Sequence, residues 1–213
     1  MTEYRSIAEL RPPEDGSYQV FAMPFASSPR RVHDNFMVRD MHDGPMPADY
    51  FLWILRSTDR TVLVDTGFGA RASAERGRPR QFDPVDGLRQ IGVDPDSIED
   101  VVISHLHYDH AGNIDRFARA RFHIQDNEVA FSTGRHMCNH ALRATFDVED
   151  VVTLVRRTYA ERVVFHDGDD ALLPGLTLHA FPGHSAAVQA VLVRTQRGPV
   201  LVGIAMNALQ GCF

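Results

Sequence analysis

Three histidines and one aspartate fall within six residues of this chain, in the run Ser104-His105-Leu106-His107-Tyr108-Asp109-His110. Imidazole is the commonest protein metal ligand, and a carboxylate beside it extends the donor set towards harder cations. In an extended segment side chains alternate, so His105 and His107 point to one side and can reach one ion at about 2.0–2.1 Å, with Leu106 turned into the core. Asp109 and His110, past a turn, then offer a carboxylate and an imidazole to a second cation beside the first. The mixture suits zinc, and the spacing points to two neighbouring metals. The alternative is a loop of solvated histidines, but four such groups side by side without a cation would crowd polar atoms that need partners.

A third imidazole for the first metal must come from another strand end, and Phe181-Pro182-Gly183-His184-Ser185 offers His184 in a turn that Pro and Gly sharpen. Asp65 has two readings. It either orients a liganding imidazole through the ring's free N–H or caps its own turn through Thr66 and Gly67.

These residues need strands to deliver them. Val101-Val102-Ile103 runs straight into the histidine cluster, Thr61 to Val64 into Asp65-Thr66-Gly67, and Leu176 to Ala180 into the His184 turn. Further β-rich runs are Tyr18 to Phe21, Tyr50 to Arg56, Arg121 to Gln125, Val163 to Phe165, Val188 to Arg194 and Val200 to Val202. Helical spacing covers Pro84 to Ile91, Asn127 to Phe131 and a long segment from His140 to Tyr159, whereas Arg71 to Arg80 reads as an exposed loop. Strands, helices and strands again predict two sheets face to face with helices outside, a layered α/β arrangement in one domain over residues 1–213.

The bulk composition narrows the function. The chain has 213 residues, 44% hydrophobic and 23% charged, with a formal charge of -6 and no basic block, so a nucleic-acid partner is not expected. Its longest strongly apolar stretch, Val200 to Met206, is far short of the about 20 residues that span a bilayer, so no membrane association is expected. Two cysteines, Cys138 and Cys212, form no disulfide framework, and the N-terminus has no secretion signal, which together place the expectation in the cytoplasm.

The run His105-x-His107-x-Asp109-His110, with Val62-Leu63-Val64-Asp65-Thr66-Gly67 before it and Pro182-Gly183-His184 after it, resembles the metallo-β-lactamase superfamily of metal-dependent hydrolases. Ser104 to Asn113 looks most like its N-acyl homoserine lactonase branch, the quorum-quenching enzymes. The resemblance implies a four-layer αββα sandwich, with His105, His107 and His184 on one zinc and Asp109 and His110 on a second. It implies ring opening of a small lactone by metal-bound hydroxide, with Asp109 both a ligand and the group that passes a proton to the leaving alkoxide. Other hydrolases of the same fold, a thioesterase of glyoxalase II type or a β-lactam hydrolase, share that centre. A non-catalytic remnant of the fold is a further reading.

That last reading has its origin in departures from the family pattern. Family members carry an aspartate after a late strand that bridges both metals; lactonases add a tyrosine beyond it and a final histidine. Here Val200-Leu201-Val202 runs into Gly203-Ile204-Ala205-Met206-Asn207, and no carboxylate side chain follows Asp170. One negative charge fewer between two dications weakens the second site most, so one zinc is expected to be held by the three histidines and a second lost readily. The segment from Ala205 to Phe213 reads as a truncated or altered ending without the last βα unit, which would leave a sheet uncovered and favour pairing into a homodimer.

The remaining candidates are weaker. His136-Met137-Cys138-Asn139-His140 reads as a helical border of the substrate pocket rather than another metal site. His33, His42, His123, His166 and His179 read as surface or hydrogen-bonded histidines. Phe36, Met37, Met41 and Met46 read as ordinary packing rather than the wall of an acyl-chain pocket.

Overall fold

Alternation along single strands decides how this chain layers. In a computed structural model, which describes residues 6–35 and 41–203, Val62 and Val64 of strand β3 (Thr61–Val64) face one hydrophobic core while Leu63 between them faces another. The same split separates Ile54 from Leu55 in β2 (Ala48–Arg56) and Val101 from Val102 in β4 (Asp100–Val102). A sheet apolar on both faces must be covered on both, and this one is. Phe36, Met37, Cys212 and the ending from Ala205 lie outside the described residues.

The covered sheet has six strands in the order β1-β2-β3-β4-β5-β6, with β1 (Gln19–Ser28), β5 (Arg121–Gln125) and β6 (Val163–His166) completing it. Its first three strands are antiparallel and the rest parallel. The second sheet is antiparallel, in the order β10-β9-β8-β7, from β7 (Asp170–Leu173), β8 (Leu176–Phe181), β9 (Val188–Thr195) and β10 (Gly198–Val202). Leu176, Leu178, Val191, Val193 and Val202 point from it into the core between the sheets.

Apart from the short α1 (Val32–Asn35), which buries no residue, helices fill the other face of the first sheet. Ala72 of α2 (Ala70–Glu75), Val85 and Leu88 of α3 (Pro84–Gln90), and Val151 and Leu154 of α7 (Val148–Tyr159) all join Leu52, Leu63, Phe122 and Ile124 there. No described helix contributes to the core between the sheets, and Leu201 on the second sheet is exposed. The architecture is an α/β sandwich, and the expectation that the last βα unit is missing falls on residues outside those described.

Two expectations change. The segment Arg71 to Arg80 is not a loop throughout, because α2 occupies its first part and its arginines are tied down. Arg71 pairs with Asp147 at 2.6 Å, Arg76 donates to the Ala144 and Phe146 carbonyls, and Arg78 donates to Ser28 Oγ. Nor is His140 to Tyr159 one helix. It breaks between α6 (His140–Arg143) and α7, because the Ala144 and Phe146 carbonyls accept from Arg76, the Thr145 carbonyl accepts from Tyr108 N–H, and Asp147 caps α7 through Glu149 N–H. The break sets Phe146 against the His107 ring, centroids 4.8 Å apart.

Candidate metal centre

The site forms where β3, β4 and β8 end. Two loops meet there before any histidine is placed. Thr66 N–H donates to the His110 carbonyl at 2.7 Å, Asn113 Nδ2 donates to the Thr66 carbonyl at 2.8 Å, and Gly112 N–H donates to the Gly67 carbonyl at 2.8 Å. Gly112 permits this approach: a Cβ there would lie 2.8 Å from Phe68 Cα and 2.9 Å from the Gly67 carbonyl. From the other sheet, Gln189 N–H donates to the Ser104 carbonyl at 2.9 Å and holds the end of the histidine loop.

His105 and His107 leave β4 on one side while Leu106 between them is fully buried, as alternation predicts. His107 immediately precedes the short helix α4 (Tyr108–Ala111), which carries Asp109 and His110. His184 arrives from the β8–β9 turn, with Gly183 at φ 147°, a backbone geometry that disfavours side chains. One ring nitrogen each from His105, His107 and His184 lie within 4.8 Å of one another, and among the described residues no other such group of three forms. Ring centroids of His184 stand 4.9 Å from His105 and 4.8 Å from His107.

Asp65 bonds to the His110 ring and reaches His105 through the Ser104 hydroxyl, so its contacts are those of a carboxylate that orients imidazoles. Buried and in the left-handed region at φ 65°, it accepts from Ser104 N–H at 2.7 Å, from Ser104 Oγ at 2.9 Å and from His110 Nδ1 at 2.7 Å. Because the Ser104 hydroxyl spends its single proton on Asp65, its oxygen is left to accept from His105 Nδ1, 3.0 Å away. That sets the His105 tautomer. Its Nε2 then presents a lone pair, and this atom is buried with no hydrogen-bond partner. An orphaned buried acceptor facing two further imidazoles fits a cation better than any other occupant.

Electrostatics keeps the triad in its ligating form. Burial, reinforced by the neighbouring imidazoles, pushes His105 well below the usual histidine range and His107 down to about 3; burial and His110 also lower His184. All three are neutral at pH 7. His110 behaves in the opposite way: burial opposes its charge, but the Asp65 and Asp109 carboxylates outweigh that and raise it to about 9. Asp109 Oδ2 stands 3.6 Å from His110 Nε2. These two expected ligands are adjacent to each other and beside the triad, with His105 and His110 centroids 4.1 Å apart, but they gather no third donor among the described residues.

The opposing shifts make the contribution of these four histidines to metal-free stability greatest near pH 6.5, the ordinary histidine value. Below that, the three lowered histidines bind protons in the unfolded chain before they do in the folded one, so stability falls with acid; above it, the raised His110 loses its stabilising charge as pH climbs through about 9. Thermal melts of metal-free protein from pH 5 to 9.5 check this, and a profile rising steadily across that range would contradict the assignment.

The other sequence candidates sort by contact. His123 and His166 are buried in a line of hydrogen bonds: Asp100 to His123 at 3.0 Å, His123 to His166 at 3.1 Å, His166 to Asp170 at 2.7 Å. His179 pairs with Asp169 and His33 with Asp43, and His42 is exposed. His136 stacks on Phe131, while Met137 and His140 line a cavity of about 530 Å³ with Arg76, Arg143, Phe146 and Val151. Met41 and Met46 are exposed rather than packed. Sequence reasoning missed Glu128 and Gln189, both fully buried; a polar residue inside an otherwise apolar pattern was the available signal.

Two stacked sheets with a histidine triad at their strand ends define a metal-hydrolase type of fold, and residues 49–203 match the family model of the metallo-β-lactamase superfamily. The chain belongs to that superfamily. It is 32% identical over 202 residues to N-acyl homoserine lactonase AiiB of Agrobacterium fabrum, covering 79% of this chain and 70% of that protein. It is 27% identical over 167 residues to N-acyl homoserine lactonase of Bacillus thuringiensis, covering 71% of this chain and 61% of the relative. Among solved structures, a quorum-quenching N-acyl homoserine lactone lactonase superposes with a TM-score of 0.71 at 21% identity, covering 87% of this chain and 72% of that one. No described helix is long and apolar enough to cross a membrane.

Proposed function

We propose that the chain is a metal-dependent hydrolase that opens a small lactone ring of the N-acyl homoserine type. The observation that carries this is the convergence of His105, His107 and His184, with the buried Nε2 of His105 unpartnered. Similarity to proteins named as lactonases supports the substrate class. Zinc is the ion we assign, since three neutral imidazoles match its preference and leave a fourth position open. Bound there, it supplies a Lewis acid for the ester carbonyl and a lowered pKa for water.

The chain's own residues supply the rest. His105, His107 and His184 hold the ion; Ser104 and Asp65 keep His105 in the required tautomer. To Asp109, half-buried with Oδ2 3.6 Å from His110 Nε2, we assign the carboxylate role of accepting a proton and returning it to the departing alkoxide. Asp109 and His110 form a weaker second cation site, because His110 must first lose the proton that the Asp65 and Asp109 carboxylates hold on it. The cavity bordered by Phe146, itself against His107, takes the acyl part: Met137, Val148 and Val151 offer apolar walls and Arg143 a polar rim. We place this activity in the cytoplasm, consistent with so few cysteines.

Ring opening releases a proton, so the test is pH release from a homoserine lactone with added zinc or cobalt, beside a thioester and a β-lactam. Lactone turnover above buffer is the expected result. Preference for the thioester or the β-lactam would move the chain to another branch. No rate with any substrate, from folded protein, would favour the non-catalytic reading, which the incomplete Asp109–His110 pair motivates.

A further inference from the structure

Glu128 belongs to none of the ligand or proton-handling groups above, yet every hydrogen bond it makes ends beside one of them. It sits in α5 (Asp126–Ser132) with no exposure to solvent. Its Oε1 accepts from Leu106 N–H at 2.9 Å and from Ser185 Oγ at 2.7 Å; its Oε2 lies 2.5 Å from the same hydroxyl and accepts from Ala187 N–H at 3.2 Å. Leu106 is the residue between His105 and His107. Ser185 directly follows His184, and Ala187 is three residues beyond that histidine.

The two loops so joined come from different sheets. His105 and His107 follow β4 of the six-stranded sheet, whereas His184 lies between β8 and β9 of the four-stranded one. Sheets packed through aliphatic side chains define a spacing only loosely at their rims, because apolar contacts are not directional. A short, charge-assisted set of hydrogen bonds is directional, and a carboxylate offers acceptors on both oxygens at once. A hydrophobic residue would fill the same buried space without the desolvation cost of an anion, so packing alone gives no reason for a glutamate here.

We propose that Glu128 is a positioning residue for the metal centre, setting where His184 stands relative to His105 and His107 through Leu106 on one side and Ser185 and Ala187 on the other. This rests on the reading of the triad as a metal site. It predicts that metal affinity and ligand-field geometry respond to Glu128 although its carboxylate touches none of the three rings.

The test uses cobalt(II) as the probe, with the visible absorption spectrum and competition against a chromophoric chelator as readouts. Glu128→Gln keeps the shape and an acceptor for Leu106 N–H and the Ser185 hydroxyl, but sets an amide NH₂ against the Ala187 N–H, so the contact on the His184 side is weakened while the Leu106 contact is kept. The expected result is a folded protein that binds cobalt about 10–100-fold more weakly with altered visible bands, the effect of losing an outer partner of a liganding group. Ser185→Ala, which removes one hydroxyl from the same contact, is expected to shift both readouts in the same direction by a smaller factor. Unchanged affinity and an unchanged spectrum in folded Glu128→Gln would overturn the proposal; should that variant not fold, the same result in Ser185→Ala overturns it. If the parent chain itself binds no cobalt, the failure lies with the metal site, and the positioning role falls with it.

Discussion

Replacing His184 with alanine is expected to weaken zinc binding by roughly a hundred- to a thousand-fold and to remove lactone turnover. Tight protein zinc sites draw about 10–16 kcal/mol from four donors, or about 2.5–4 kcal/mol each, and every 1.4 kcal/mol is a factor of ten. His184 is the donor to remove because it stands on a turn, between strands that close without it. His105, by contrast, is fully buried, and its loss would leave a cavity as well as a vacant ligand position. The metal-free His184→Ala chain is therefore expected to melt close to the parent, with chelator competition reporting the lost affinity. Parent-like zinc affinity in this variant would dismantle the triad and the hydrolase reading that stands on it.

Asp65→Ala is expected to cost about 3–5 kcal/mol of stability, on the order of 10 °C in melting temperature for a chain of this size. Three donors lose their acceptor together: Ser104 N–H, Ser104 Oγ and His110 Nδ1, the first two buried. Alanine also tolerates φ 65° poorly. Asp65→Asn separates the two effects, since asparagine accepts that backbone but carries no charge. In both variants His110 is expected to titrate well below about 9, because the carboxylate that chiefly raises it is gone while the burial that lowers it remains. Histidine ring NMR against pH reads this directly; a His110 titration unmoved in Asp65→Asn would show that Asp65 does not hold that ring's charge.

How much of this was readable beforehand depended on the range of the interaction. The strands Thr61–Val64 and Arg121–Gln125 were legible to the residue, and the helix Pro84–Gln90 nearly so, because alternation and helical spacing are local signals. Local signals misled where a distant side chain intervened. Nothing between His140 and Tyr159 announces that Arg76 and Tyr108 will claim three carbonyls and split the helix. The arginines of residues 71–80 looked solvated for the same reason, as their partners Asp147, Phe146 and Ser28 lie far away in sequence.

From sequence, the candidate ligands were legible: four donors within six residues after a strand and a turn histidine after another. Tertiary structure alone decided which ring nitrogen carries the free lone pair, that Asp65 serves Ser104 and His110, and that Glu128 ties the two histidine loops together. The physical reason is that ligand identity is written in side-chain chemistry and spacing. Tautomer, charge state and loop separation instead depend on hydrogen bonds between residues distant in sequence, such as Glu128 and Ala187, 59 positions apart, which form only when both sheets are in place.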